Sequence, residues 1–335
     1  MKLSFKNIAA FLFLFPFIAA YPQNFESKHF KIEKIKEGIF AAINKPGGFA
    51  ISNSGIIDLG DVVLVFDTFI SPEAAEDLKR AAEQLTLKPV KYVINSHYHN
   101  DHIRGNQVFE NAVIIATSET RDLIQKNEPE ELDYEKSTVD QNINNCLKKL
   151  EEEKDSANLE EDQMWLGYYK AIKGSFNNYK ITLPNFTIDD SLYIHGTKRR
   201  AVIFTNGKGH TESDLVLWLP EDKVLFAGDL VFAQRHPWLG DGSITGWINY
   251  LNKLSELRAD VIIPGHGPLT NNNGIDSMIK YINLISNIVD DAIKLKTPED
   301  KLKEIPIPSE LKNWQFENFF IPNLINLYEL KKGIQ

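Results

Sequence analysis

Four side chains able to bind a metal fall within six residues in the stretch Ser96-His97-Tyr98-His99-Asn100-Asp101-His102. Imidazole nitrogen and carboxylate oxygen together suit zinc and the neighbouring first-row metals. The stretch follows the apolar pair Val93-Ile94, which predicts that it begins where a buried strand ends. A strand end holds its backbone with the rigidity a metal site needs. The internal position, the aspartate and the preceding strand separate this cluster from a solvated histidine loop.

Two more histidines stand in glycine-flanked turns after apolar runs, Gly209-His210-Thr211 and Gly265-His266-Gly267. Between them Ala227-Gly228-Asp229 closes another apolar run. Glycine beside a donor lets the backbone approach a metal closely or take a positive φ. Four strand ends thus present His97, His99, Asp101, His102, His210, Asp229 and His266. If those strands share a sheet edge, all seven side chains converge. Of the remaining histidines, His236 beside Pro237-Trp238 is expected on a loop lining the cleft, and His29 and His195 are expected as surface residues.

The elements that must position these donors follow from pattern. Short strands are expected at 39–43 and 49–51, flanking the turn Asn44-Lys45-Pro46-Gly47-Gly48, and at 56–57 and 62–66 around Gly60-Asp61. Ser71-Pro72-Glu73 is a helix start, with Ala75, Leu78, Ala82 and Leu85 recurring at helical spacing. Val90–Ile94 and Val113–Ala116 complete a β-α-β-like first half. The pattern returns with strands at 191–194, 201–204, Leu215–Leu219 and 224–226, a helix at 247–258 and a strand at 261–263. Met278, Ile282, Ile285, Val289 and Ala292 form a helical stripe, and Leu324, Leu327 and Leu330 mark a docking helix with no expected chemistry.

Residues 118–180 carry fifteen acidic against nine basic residues and are expected as a helical insertion. Glu151-Glu-Glu-Lys-Asp155 and Glu160-Glu-Asp162 read as solvated faces, and Trp165, Tyr168 and Tyr169 as core packing rather than a cleft wall. Cys146, the single cysteine, excludes an internal disulfide and is left out of the chemistry.

Composition bounds the rest. The 335 residues, 43% hydrophobic and 25% charged, describe a globular chain. A net charge of −9 without a basic cluster argues against a nucleic-acid partner. Lys2 and Lys6 precede an apolar run from Ile8 to Ala20 that contains Pro16. That layout predicts a signal peptide over residues 1–20, a periplasmic or secreted protein starting near Tyr21, and no stable membrane insertion once the signal is removed. A membrane helix needs about 20 apolar residues. Residues 21–335 are then expected as one domain, with helical additions at 118–180 and 275–335.

In order and context these motifs resemble the metallo-β-lactamase fold superfamily of metallohydrolases. Its His-x-His-x-Asp-His signature is matched at His97 to His102, and its Gly-His-Thr, Gly-Asp and Pro-Gly-His-Gly elements follow in order, with Asp67 matching an early Asp-Thr element. The resemblance covers roughly residues 38–116 and 181–268. It implies an α/β four-layer αββα sandwich with metals at one edge. It further implies that His97, His99 and His210 hold one ion, that Asp101, His102 and His266 hold a second, that Asp229 bridges, and that Asp67 supports the metal loops from behind.

Seven donors exceed the four of tetrahedral zinc but suit two ions sharing a carboxylate and a water. Two divalent ions, zinc by preference with iron or manganese also suited, lower the pKa of that water. A bridging hydroxide would attack an ester, thioester, lactone or amide of a small-molecule substrate, with Asp101 orienting it or carrying its proton. Asp229 resembles the residue of the family's thioesterases and lactonases, where many zinc β-lactamases use cysteine. Arg104 stands where many members have glycine, and is expected to alter the wall of the site. The alternatives are a true zinc β-lactamase and a mononuclear iron persulfide dioxygenase.

Overall fold

The computed structural model describes residues 25–153 and 155–333; the expected signal peptide lies outside them. One sheet has seven strands in chain order: β1 (Phe30–Lys36), β2 (Ile39–Asn44), β3 (Ser54–Asp58), β4 (Val63–Phe66), β5 (Val90–Ile94), β6 (Val113–Ala116) and β7 (Phe186–Thr187). Pairing is antiparallel from β1 to β4 and parallel from β4 to β7. The second sheet comprises β8 (Ser191–His195), β9 (Arg200–Thr205), β10 (Leu215–Leu219), β11 (Val224–Phe232) and β12 (Val261–His266), in the order β12-β11-β10-β9-β8. Its one parallel pair is β11 with β12.

The helices are α1 (Pro72–Thr86), α2 (Asn100–Ile103), α3 (Ser118–Glu152), α4 (Ser156–Ser175), α5 (Ile244–Glu256), α6 (Asn272–Lys294) and α7 (Phe320–Lys332). Ser71 caps α1 as expected, its Oγ accepting from Ala74 N at 3.2 Å. The period of two in the strands sorts the layers. On β4, Val63 and Val65 pack outward on Ala75, Leu78 and Ala82 of α1. Leu64 and Phe66 point inward to Leu217 and Phe226 of the second sheet. Trp218 and Leu225 leave the far face toward Trp247 of α5 and Ile282 of α6. The result is helix, sheet, sheet, helix, each buried Leu or Phe contributing roughly 1.5–3 kcal/mol of transfer free energy.

Two parallel pairs set up the site. Since β4 and β5 run together, Asp67 and Ser96 emerge at one edge; β11 and β12 bring Asp229 and His266 there. The sheets are joined at this edge by Leu215 N donating to Ser96 O (2.7 Å) and Asn53 N donating to Gly265 O (2.7 Å).

Some local expectations fail for identifiable reasons. Residues 49–51 are not a strand: Gly48 lies against the backbone of His29, and the Asn53 side chain donates to Pro264 O and Gly267 O of the other sheet. The lysine-rich β1 escaped notice because an edge strand carries charge on its open face. His29 is buried, not on the surface, its Nδ1 accepting from Phe49 N at 3.0 Å. His195, expected at the surface, is exposed at the end of β8. Among the described residues no helix is long and apolar enough to cross a membrane.

Candidate metal centre

His97 follows β5, His99 immediately precedes α2, and Asp101 and His102 lie on it. His210 sits between β9 and β10, Asp229 within β11, and His266 ends β12. The side chains form two groups, His97/His99/His210/Asp229 and Asp101/His102/His266, each offering donor atoms within 4.8 Å of one another. Asp229 touches both: its carboxylate lies 3.4 Å from His210 Nε2, 3.1 Å from His102 Nε2 and 3.4 Å from His266 Nε2.

The backbone makes this approach possible. Gly228 has φ +53°, and a Cβ there would lie 2.7 Å from that of Ser96. A Cβ on Gly265 would collide with Asp229 Oδ1. Asp67 itself holds φ 59°, a conformation aspartate tolerates better than most residues, and this aims its carboxylate at the β5 end.

Most of the imidazoles are held by the nitrogen that faces away from the centre. His102 Nδ1 donates to Asp67 Oδ2 (2.8 Å), His266 Nδ1 to Ile51 O (3.1 Å), and His99 Nε2 to Asp241 Oδ2 (3.0 Å). His97 Nδ1 donates to Ser96 Oγ (2.9 Å), which donates in turn to Asp67 Oδ2 (2.8 Å). A histidine fixed in this way presents the lone pair of its other nitrogen, the arrangement metal ligation requires. Facing the centre, His97 Nε2 is buried with no hydrogen-bond partner, and His102 Nε2 and Asp229 Oδ1, 3.1 Å apart, face each other without a well-aligned hydrogen bond. Orphaned buried polar atoms are costly, and a cation among them satisfies all three. The donor set fits a divalent metal.

Electrostatics agree. Burial, reinforced by His102, holds His97 well below the usual imidazole range, and burial carries His210 down to about 3. Burial opposes charge on His266 and His102 too, yet Asp229 and Asp101 outweigh it, taking His266 up to about 9 and His102 well above its ordinary value. Asp229 is buried but held well below the carboxylate range by His266 and His102. Protons on those two histidines occupy the role a bound cation takes over, so metal uptake releases protons.

Asp67 orients one histidine of each group, which gives its replacement a definite expectation. Asp67→Asn keeps the volume, but an oxygen left to accept from Ser96 Oγ and His102 turns the amide NH2 against Ser96 N, and the negative charge facing His102 is lost. Metal affinity is expected to fall about 10–100-fold, measured by competition with a chromogenic chelator; unchanged affinity would remove Asp67 from the support of the centre.

A cavity of about 460 Å3 opens over the donors, with His99, Asp101, His210, Asp229 and His266 on its lining. Trp165, Tyr168 and Tyr169 wall it, and they also pack on buried clusters around Ile172 and Met164, so the expected core packing holds and a cleft wall is added to it. Phe316 and Phe319 join them from a C-terminal region expected to have no part in the chemistry. His236 does not line the cavity: it is buried, its ring nitrogen 3.1 Å from Tyr281 Oη, while Trp238 takes the lining position. Cys146 is buried on α3, outside both donor groups.

Arg104 shapes the wall from behind, through the lining residue Glu135. It is fully buried behind the wall, its guanidinium donating to Glu128 (3.2 Å) and to both oxygens of Glu135 (3.0 and 2.8 Å) on α3. Asn100 Nδ2 donates to Glu131 (2.6 Å) and Glu135 (3.1 Å). Helix α3 is thereby tied to α2, the helix that carries Asp101 and His102. Of the expected solvated faces, Glu151, Glu152 and Glu160 are exposed, but Asp162 is buried.

A family model described as the metallo-β-lactamase superfamily matches residues 47–266. A linear primary-alkylsulfatase from a Pseudomonas species is 23% identical over 278 residues, 76% of this chain and 50% of that protein. The chain thus spans half the length of that relative. A metallo-β-lactamase type 2 from Pseudomonas aeruginosa is 24% identical over 226 residues, 65% of this chain and 69% of that protein. Among solved structures, a metallo-β-lactamase from Pontibacter korlensis superposes with a TM-score of 0.55 at 17% identity, covering 76% of this chain and 99% of that one. A likeness at that identity shows the fold. With the family model spanning both donor groups, the chain belongs to the metallo-β-lactamase superfamily.

Proposed function

We propose that the protein is an exported dinuclear hydrolase cleaving an ester, thioester, lactone or amide bond in a small molecule. His97, His99 and His210 are assigned to one ion, Asp101, His102 and His266 to the other, and Asp229 to both. The observation that carries this reading is the pair of buried donor groups meeting at one carboxylate. Zinc suits these donors, and iron or manganese takes the same set. When bound, such ions supply Lewis acidity and a water of lowered pKa.

The chain's own residues do the rest. Asp229, kept ionised by His266 and His102, holds the two groups in register. Asp101 lines the cavity with its carboxylate 3.3 Å from His266 Nε2, and is assigned to accept the proton of the attacking water and return it to the leaving group. Trp165 and Phe316 exclude solvent from the substrate side. Export rests on Lys2 and Lys6 ahead of the apolar run to Ala20; N-terminal sequencing that found Met1 retained would count against it.

A second reading, a zinc β-lactamase, draws on the similarity to the Pseudomonas aeruginosa enzyme. Metal analysis with a panel of lactone, thioester, ester and β-lactam substrates separates the readings. The expected result is two zinc ions per chain and turnover of a non-β-lactam ester or thioester, abolished by chelation and restored by zinc. Efficient cleavage of a chromogenic cephalosporin would favour the second reading. One iron per chain with oxygen uptake would replace both by a persulfide dioxygenase.

A further inference from the structure

The cavity above the donors is lined by two chemical kinds of residue. Trp165, Tyr168, Tyr169, Phe316, Phe319 and Trp238 form a continuous aromatic surface. Neighbouring ring centroids are 5.1 Å apart for Trp165 and Phe316, 5.6 Å for Trp165 and Tyr168, and 5.8 Å for Trp238 and Phe319. Beside them α3 contributes Glu131 and Glu135, with Tyr134, Thr138, Val139 and Asn142. Among the described residues, no lysine or arginine lines the cavity. Arg104 is sealed behind the wall by Glu128 and Glu135. Arg235 stacks on Phe316, 5.5 Å from its centroid, without lining the cavity.

This combination selects by charge. Ring faces are negative and attract a cation, more strongly when the pair is desolvated. An anionic group buried in the cavity would face carboxylates and ring faces with no cationic side chain to pair it, which is costly. Resting on the hydrolase reading above, we propose that the substrate carries an ammonium- or guanidinium-type cation and no anionic group beyond the atoms presented to the metal donors. The cation seats between the Glu131 carboxylate and the aromatic wall. Glu131 is suited to the role because Glu135, its neighbour one helical turn on, is already committed to Arg104. Burial pushes the Glu131 carboxyl up to about 7 despite Arg104, with Glu128 and Glu135 adding to the rise; an incoming cation relieves that crowding.

The test is binding, separate from turnover. The zinc-loaded full chain is titrated calorimetrically with benzyl thiols carrying a para methyl, trimethylammonium or carboxylate group, the thiol being a common metal-binding head. Trimethylammonium is expected to bind about tenfold or more tighter than carboxylate, a difference of ~1.4 kcal/mol. Glu131→Gln should shrink the ratio of trimethylammonium to methyl affinity toward one. Trp165→Ala should weaken both, and Trp165→Phe, which keeps an aromatic face, should restore much of the loss. Carboxylate binding as tight as trimethylammonium, ratios unmoved by Glu131→Gln, or no binding of any thiol overturns the proposal. Charge-ranked binding without turnover of any ester or amide would sink the hydrolase reading and keep the cavity assignment; turnover without charge ranking would do the reverse.

Discussion

Replacing Asp229 by alanine is expected to lower kcat/KM by roughly 10^3-fold or more and to reduce the metal bound per chain. Its carboxylate alone reaches histidines of both donor groups, at 3.1 Å from His102 and 3.4 Å from His210 and His266. Metal polarisation of a reacting oxygen contributes several kcal/mol to transition-state stabilisation. Losing ~4 kcal/mol of it corresponds to about 10^3 in rate. The substitution also leaves His97 and His210 without their carboxylate neighbour, so the loss should not be confined to one ion. Steady-state kinetics beside elemental analysis and circular dichroism make the check. Wild-type turnover with full metal content would remove Asp229 from the centre.

The second large effect concerns stability. Arg104→Met keeps most of the side-chain volume and leaves the carboxylates of Glu128 and Glu135 buried without their cation. Breaking a buried ion network by removing one partner costs about 3–5 kcal/mol, to be read as a fall in the urea midpoint. The reason is the abandoned charge rather than the lost contact, so the triple variant Arg104→Met, Glu128→Leu, Glu135→Leu should recover much of the loss. A single variant as stable as wild type would show that the two glutamates take up protons at little cost. Activity should fall as well, because Asn100, one residue from both His99 and Asp101, donates to Glu135.

What the sequence disclosed and what it hid have the same physical origin. His97, His210 and His266 follow or end apolar strands beside serine or glycine, so local pattern alone marks them as strand-end side chains, whereas Asp229, read the same way, lies within β11, which continues to Phe232. The layering was equally local, since alternation along 63–66 sorts those residues to two faces. The contacts that complete the site are not local. Asp241 meets His99 across 142 positions of chain, and Trp238 shares its carboxylate at 2.9 Å. Nothing in Asp241-Gly242 beyond a turn signals that partner. Glu128 and Glu135 lie in a helix whose composition reads as solvent-facing, and Arg104, 24 and 31 residues earlier, makes their burial tolerable together with Tyr179 and Asn100. Phe316 and Phe319 gave an apolar signal that any docked helix would give; a cavity rather than a core beneath them is a property of the assembled fold.

The division of the donors between two sheets also sets a timetable for biosynthesis. The first group is incomplete until residue 229 has been made, and the second until residue 266. The aromatic residues Phe316 and Phe319 leave the ribosome later still. A nascent chain therefore offers the clustered donors of 97–102 well before either group is complete, and full capture of metal is deferred until the two sheets have found each other.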